Sequence, residues 1–374
     1  MAGVLLFGVV PAAPALVPGR PEPDPDPPQT ASELGDSGTQ VRLRAGAPSL
    51  PSKVSGLSWV VADAGSGDVL AAHAAHRKLP PASTLKTLFA VTAMPHIPDG
   101  GVHTVTESEL AGVAPGSSRV GIVAGNTYRV PDLWRGVFLS SGNDAVHVLA
   151  GMNGGWESTA EQMQAKADAL GARDTTVVSP DGYDEPGQVS SAFDLAVFAR
   201  AGLRIPEFAE YCSTGTADFP GNGGRTFEIQ NTNRLLSGAD GVRRYPGLVG
   251  VKNGYTSHAG NTLIAAARKD GRTVLVSVMN PQSGESNAVY EEARRLLDWG
   301  GEAAGQVVPV GSLESSRSAA PAAAGPDRGV QSSQAAGAGE SGGFPSGRLL
   351  AAACLAAAAA VVWLRARFRR RRES

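Results

Sequence analysis

Cysteine and aromatic residues are both scarce in this chain of 374 residues. The two cysteines, Cys212 and Cys354, are too few for a disulfide framework or for a zinc site of the Cys-rich kind. Aromatic residues make up only 6% of the chain, whereas 47 glycines and 26 prolines are more than a uniformly folded protein carries. We therefore expect folded structure in part of the chain only, with low-complexity segments beside it.

Positive charge is concentrated at one end of the sequence. Residues 365–374 contain six arginines and one glutamate, so the rest of the chain is acidic although the formal net charge of the whole is only −2. A nucleic-acid-binding domain carries an excess of positive charge on its folded part. The charge distribution therefore argues against a nucleic-acid partner.

Two segments resemble targeting or membrane sequences. Residues 1–19 are mainly small and apolar with an Ala13-Pro14-Ala15 pattern, which resembles a signal peptide without its basic start; the alternative is a disordered Ala-rich terminus. Residues 348–364 contain a charge-free run that would rise about 24 Å as a helix. We expect a transmembrane helix there, with 365–374 as a basic cytoplasmic tail, the alternative being a soluble Ala-rich helix. The residues between the two segments would then lie outside the cell.

Two further segments have the composition of spacers. Residues 20–50 are acidic and rich in Pro, and residues 302–347 consist mainly of Ala, Gly, Ser and Pro. Neither is expected to bury enough apolar surface to fold. The sequence therefore predicts a folded domain over residues 51–301, which is large enough for one hydrophobic core.

The apolar periodicity of that domain predicts strands near both of its ends and helices between them. Strands are predicted over 59–63, 68–72, 248–253, 262–267 and 273–279, and helices from residue 83, within 131–170 and 190–210, and over 288–299. This order is typical of an α+β fold. We expect an antiparallel sheet assembled from both chain ends and flanked by helices, with an all-α insertion lobe.

Lysine is the informative residue type, because only six of the 33 basic residues are lysines. A buried lysine can lose its proton and act as a general base, whereas an arginine cannot. Lys86 follows Ser83 by three residues on one face of the predicted helix, so its amine can reach the serine hydroxyl. The helix start at Ser83 would also favour a developing oxyanion. The alternative is a helix cap beside a solvated lysine.

Ser-x-x-Lys alone is a weak signal, and its specificity comes from two further stretches in the required order. Ser141-Gly142-Asn143 would place a proton-relaying hydroxyl and a substrate-binding amide on a loop between helices. Lys252-Asn253-Gly254 lies on a predicted strand that leads into a hairpin, where a glycine lets substrate approach and a strand edge can pair with a peptide. Ordinary turn residues and a strand-end charge are the alternatives for these stretches.

With these three stretches, the chain resembles the penicillin-recognising serine acyl-transferases, and within them the serine-type D-alanyl-D-alanine carboxypeptidases. The resemblance covers about residues 59–299 and implies a β-lactamase/transpeptidase-like fold without cofactor or metal. Further stretches separate it from class A β-lactamases, namely Leu170-Gly171-Ala172, Ser179-Pro180-Asp181-Gly182-Tyr183-Asp184, Ser190-Ser191-Ala192-Phe193-Asp194-Leu195 and Asn231-Thr232-Asn233-Arg234-Leu235-Leu236.

The resemblance also implies roles and partners. It makes Ser83 the acylated nucleophile, Lys86 its base and Ser141 a proton relay. The substrate-binding positions it implies are Asn143, Lys252, Asn253, Gly254 and Tyr255, with the backbone N–H groups of Ser83 and Tyr255 forming the oxyanion hole. The substrate would be a peptidoglycan stem peptide that loses its terminal D-Ala, and β-lactams would be covalent inhibitors.

Two departures from the family pattern concern the terminal carboxylate of the substrate. Asn253 stands where the family usually has Thr, and residues 282–286 lack the arginine with which several relatives bind that carboxylate. A β-lactamase acting through the same site and a non-catalytic cell-wall-binding module are the alternative functions.

Overall fold

The computed structural model describes residues 33–36 and 38–314. Its strands in chain order are β1 (Thr39–Leu43), β2 (Gly56–Asp63), β3 (Asp68–His73), β4 (Val102–Thr104), β5 (Thr127–Arg129), β6 (Thr216–Pro220), β7 (Thr226–Gln230), β8 (Leu248–Thr256), β9 (Gly260–Lys269), β10 (Arg272–Pro281), β11 (Val307–Val308) and β12 (Gly311–Ser312). Its α-helices are α1 (Lys86–Ala93), α2 (Glu107–Leu110), α3 (Val130–Leu139), α4 (Asn143–Met152), α5 (Trp156–Ala169), α6 (Ala192–Gly202), α7 (Pro206–Ser213), α8 (Arg234–Ser237) and α9 (Ala288–Ala303).

One antiparallel sheet joins the two ends of the described chain. Its strand order is β11-β1-β3-β2-β10-β9-β8, and β12 pairs with β3. At the centre, β2 pairs with β10 so that Trp59 lies opposite Val278 and Val61 opposite Val276. The α+β prediction, with a sheet built from both chain ends, is confirmed, and each of the five predicted strands forms part of this sheet.

Alternate residues of the central strands enter two separate hydrophobic clusters, because successive side chains of a strand point to opposite faces. In β2, Val60 belongs to the cluster that includes the helices of the insertion, whereas Val61 belongs to the cluster beneath α9. In β10, Leu275 and Val276 divide in the same way. The sheet is therefore covered on both faces.

The insertion between β3 and β8 is mostly helical but not all-α as predicted, because it also contains two small sheets. These are the antiparallel pairs β4–β5 and β6–β7. Strands β4 and β5 have three residues each, too few for a visible alternation of polar and apolar residues. The helix predicted from residue 83 begins as a 3-10 turn, Ala82–Leu85, and becomes α-helical at Lys86.

The sheet extends beyond both bounds that we gave the folded domain. Strand β1 lies within the predicted spacer 20–50, and β11 and β12 lie within the predicted linker 302–347. These short strands take their hydrogen-bond partners from the edge of the sheet, and Val307, Val310 and Leu313 are buried. Composition averaged over a long segment hides such pieces, so the predictions of unfolded spacer were wrong for 39–43 and 307–312.

The predicted signal segment 1–19, transmembrane segment 348–364 and tail 365–374 all lie outside the described residues. Among the residues that are described, no helix is both long and apolar enough to span a membrane.

Candidate active site

Ser83 lies on the tight 3-10 turn that precedes α1. Thr262 of β9 donates a hydrogen bond from Oγ1 to the Pro81 carbonyl at 3.0 Å, which ties the turn to the sheet. On the opposite side, a Cβ on Gly182 would lie 2.1 Å from the Ala82 carbonyl oxygen, so only glycine permits this approach. Sheet and loop together therefore fix the backbone at Ser83.

Lys86 contacts the nucleophile candidate directly. Its Nζ donates to Ser83 Oγ at 2.9 Å and to the Asp181 carbonyl oxygen at 2.6 Å, and the side chain is only 1% exposed. Burial lowers the pKa of Lys86 from 10.5 to about 8, against the opposing effect of the Asp181 and Asp144 carboxylates. An amine with this pKa is partly neutral near pH 7 and can accept the Ser83 proton.

Ser141 and Asn143 lie at the junction of α3 and α4. Ser141 has a φ of +56°, and its buried Oγ has no hydrogen-bond partner among the described residues. Asn143 donates from Nδ2 to Asp181 Oδ2 at 2.7 Å, while its buried Oδ1 has no partner within the described chain. Unpaired buried polar atoms are uncommon in folded proteins and are often found at functional sites.

Asp181 connects these two parts of the site, a role that the sequence motifs did not predict. Its carbonyl oxygen accepts from Lys86, and its carboxylate accepts from Asn143, from Ser179 Oγ at 2.9 Å and from the Tyr183 backbone N–H at 3.0 Å. The Asp-Gly turn at 181–182 is the signal that could have indicated it, because such a turn brings backbone and carboxylate to one point.

Asp144, the residue after Asn143, holds a neighbouring loop in place. Its carboxylate accepts the backbone N–H groups of Val120, Gly121 and Ile122 at 2.9, 2.9 and 3.0 Å. The Asn143 backbone N–H donates to Ser118 of the same loop at 2.7 Å. The start of α4 is therefore fixed by long-range hydrogen bonds and not by the helix alone.

The third stretch runs along β8 past the nucleophile. A Cβ on Gly254 would lie 2.7 Å from the Ser83 backbone nitrogen, so β8 and the 3-10 turn are in direct contact. Lys252 is 1% exposed and donates from Nζ to the Asn253 carbonyl at 2.8 Å. Burial, and then the charge of Lys86, hold the pKa of Lys252 well below its usual value. Tyr255, next along the strand, is 69% exposed.

A cleft of about 660 Å³ opens beside the third stretch. It is lined by parts of β8 and of the segment from β7 to α8, among them Thr232, Arg234, Asn253, Gly254, Tyr255 and Tyr290. Thr232 donates from Oγ1 to Asn253 Oδ1 at 3.0 Å. Of the eight predicted site residues, Ser83, Lys86, Asn143 and Gly254 are joined by direct contacts or through Asp181. Lys252, Asn253 and Tyr255 adjoin Gly254 on β8, and Ser141 lies two residues before Asn143.

Among the described residues, no group of three or more His, Cys, Asp or Glu side chains could hold a metal ion. A serine, a buried amine of lowered pKa and a glycine-lined strand are instead the parts of a serine acyl-transfer site. The sequence model of the D-alanyl-D-alanine carboxypeptidase family matches residues 44–283. The chain belongs to this family.

Relatives of the family agree with this assignment in sequence and in fold. D-alanyl-D-alanine carboxypeptidase DacB2 of Mycobacterium tuberculosis is 37% identical over 246 residues, which cover 65% of this chain and 81% of the relative. A crystal structure of a D-alanyl-D-alanine carboxypeptidase from the same organism superposes with a TM-score of 0.65 at 34% identity, covering 72% of this chain and 99% of the other.

A second solved structure supports the fold at lower identity. The Streptomyces K15 DD-transpeptidase is 25% identical, with a TM-score of 0.62, and the match covers 68% of this chain and 99% of that one. The predicted family, fold and serine-hydrolase class are therefore confirmed.

Proposed function

We propose that this chain is a penicillin-sensitive D-alanyl-D-alanine carboxypeptidase that removes the terminal D-Ala from peptidoglycan stem pentapeptides. The observation that carries the proposal is the 2.9 Å contact between Lys86 Nζ and Ser83 Oγ, with the amine buried and the pKa of Lys86 lowered to about 8. A neutral amine in this position is the base that a serine nucleophile needs.

Acylation follows from this geometry. Neutral Lys86 takes the proton of Ser83 Oγ, and Oγ attacks the carbonyl carbon of the penultimate D-Ala. The backbone N–H groups of Ser83 and Tyr255 would stabilise the resulting oxyanion. The close approach of Gly254, the residue before Tyr255, to the Ser83 nitrogen supports this role. The C–N bond then breaks, and terminal D-Ala leaves as an amine after it receives a proton.

Proton delivery to the leaving group is the role we give Ser141. Its Oγ is buried and has no partner within the described chain, so it is available to pass a proton from Lys86 to the amine. Asn143 Oδ1 is unpaired there too and can accept a substrate N–H, while Asp181 holds the amide in place. A water molecule, activated by neutral Lys86, would then hydrolyse the acyl-enzyme and return the site to its starting state.

We also propose a location. Residues 1–19 would direct export, residues 348–364 would anchor the chain in the membrane, and the arginines of 365–374 would remain in the cytoplasm. The proposal is supported by the charge-free run and the arginine cluster of the sequence. It fits a substrate that lies outside the cell. Protease accessibility of the catalytic domain and of a tag after residue 374 in intact cells and in lysed cells would test it.

The function is tested by labelling the purified protein with a fluorescent penicillin and by measuring D-Ala release from a pentapeptide. We expect a stable covalent label that Ser83→Ala abolishes together with D-Ala release. Ser52→Ala, which changes an exposed serine outside the site, should keep both. Label that persists in Ser83→Ala contradicts the assignment. Rapid loss of the label indicates a β-lactamase, and label without D-Ala release indicates a non-hydrolytic binding protein.

A further inference from the structure

The substrate of a carboxypeptidase carries a free carboxylate one residue beyond the scissile bond. An arginine is the side chain best suited to bind it, because the guanidinium donates two parallel hydrogen bonds to a carboxylate. The segment 282–286, before the last helix, contains no arginine, and position 253 offers an amide instead of a hydroxyl. Lys252 is one basic residue next to Asn253 on β8, and Arg234 is the basic residue that lines the cleft.

Arg234, the first residue of α8, contacts the residue that directly follows segment 282–286. Its guanidinium donates to Asn287 Oδ1, and Asn287 is the residue directly before α9. It also pairs with Asp240 Oδ2 at 2.8 Å, and its central carbon lies 5.5 Å from the centre of the Tyr290 ring. These contacts hold the guanidinium against the segment that lacks an arginine of its own.

The guanidinium also shares the cleft with the third stretch. Arg234, Asn253 and Gly254 all line the cleft, and Gly254 touches the backbone of Ser83. Thr232 donates to Asn253 Oδ1, so the assigned orientation of this amide leaves Nδ2 as its donor side. A guanidinium and an amide donor thus line the same cleft as Gly254, the residue that packs against the backbone of the nucleophile.

Arg234 has N–H groups that remain able to donate hydrogen bonds to a ligand. A guanidinium has five N–H groups, and Asp240 and Asn287 are the side-chain acceptors it contacts among the described residues. Its side chain is 36% exposed, which leaves it accessible from the cleft. Asp240 is more exposed, at 64%, and its negative charge opposes an incoming carboxylate.

We propose that Arg234 binds the C-terminal carboxylate of the substrate, with Asn253 Nδ2 as a second donor. This role rests on the carboxypeptidase function proposed above. It makes Arg234 a binding residue that selects substrates with a free terminus. It also makes Asp240 a residue that positions Arg234 and weakens the attraction of the cleft for anions.

The decisive experiment compares two peptides that differ only at the terminus. One ends in D-Ala-D-Ala with a free carboxylate, and the other carries a C-terminal amide in its place. For Arg234→Gln we expect kcat/KM on the free acid to fall about 10- to 100-fold, because a charge-assisted pair is lost. The rate on the amide should stay unchanged, which also shows that the variant is folded.

Two further variants sharpen the result. Asp240→Asn should raise kcat/KM on the free acid a few-fold at low salt and leave the amide rate alone, because it removes an opposing charge. Arg243→Gln removes an exposed arginine of the same region that does not line the cleft, and should change neither rate.

The outcomes separate this proposal from the one on which it rests. An equal loss on both peptides in Arg234→Gln would show that Arg234 only supports the packing of α8, and an unchanged preference for the free acid would show that another group binds the carboxylate. Either result overturns the role of Arg234 while the unmodified enzyme still releases D-Ala. If the unmodified enzyme releases no D-Ala, the carboxypeptidase function fails, and the carboxylate role fails with it.

Discussion

The packing beneath α9 and the packing around Ser83 bury side chains of opposite character. Beneath α9, Leu263, Val276 and Leu296 are fully buried against apolar neighbours. Around Ser83, Lys86 and Lys252 are buried to the same degree. Within the described residues, the hydrogen bonds of the two amines go to a hydroxyl and to backbone carbonyl oxygens, with no direct ion pair to a carboxylate. The buried charge on α9 is paired, because the Glu292 carboxylate accepts hydrogen bonds from Ser55 Oγ and the Gly56 N–H, whereas burial destabilises the charged forms of the two lysines around Ser83.

Backbone strain and unpaired polar atoms also occur around Ser83, as they do at several other positions of the described chain. Ala82 and Ser141 both have positive φ, at 49° and 56°, and both lie at the site. Ser141 Oγ and Asn143 Oδ1 are buried without a partner in the part of the chain that the structure describes. Such features cost stability and persist only where the surrounding structure imposes them. The apolar core therefore stabilises a fold whose catalytic region contains features that lower stability.

Replacement of Lys86 by methionine should have the largest effect and should move activity and stability in opposite directions. Acylation by penicillin should slow about 10²- to 10⁴-fold, because the general base is removed. The free energy of unfolding should rise by about 1 to 2 kcal/mol, because a buried amine is replaced by an apolar side chain of similar length. Stopped-flow labelling and urea unfolding measure the two quantities.

The matched control is Lys53→Met, which makes the same change at an exposed lysine. It should leave the acylation rate and the urea midpoint unchanged. If Lys86→Met is less stable than the unmodified protein, the buried amine is a net source of stability, and the contrast between the two regions disappears.

Leu296→Ala tests the other region and should have the second-largest effect. Leu296 is fully buried in the α9 cluster, so its truncation leaves a cavity and should lower the free energy of unfolding by about 2 to 5 kcal/mol. The acylation rate of the folded fraction should not change. Leu43→Ala, at a leucine that is 45% exposed, should cost much less. A loss of acylation rate in folded Leu296→Ala would mean that the two regions are coupled.

Contacts between residues close in sequence could be predicted, whereas contacts between residues far apart in sequence could not. Ser83 and Lys86 lie within one turn, so their spacing alone predicts the contact that the structure contains. Lys86 and Asp181 are 95 residues apart, and only the folded chain shows that they meet. The same holds for Arg234 and Asn287, because nothing in the pattern of α8 indicates that it packs near the start of α9.

Strands were predictable where they are long and apolar and were missed where they are short. The apolar runs that became β2, β3, β8, β9 and β10 each contain enough residues for a pattern. Strand β11 has two residues, and it exists because β1 offers it an edge. Hydrogen bonding at a sheet edge is a property of the assembled sheet, which a local pattern does not contain.

The pH dependence of acylation gives the smallest effect and the most direct test of the buried amine. Because burial lowers the pKa of Lys86 to about 8, the neutral base becomes scarcer as the pH falls below this value, by about tenfold per pH unit. The second-order rate of penicillin labelling should therefore rise from pH 6 to 8 and level off above. Leu296→Ala should show the same midpoint, because it leaves the site intact. A flat profile over this range, or a midpoint near the ordinary lysine value of 10.5, would show that Lys86 does not act as a desolvated base.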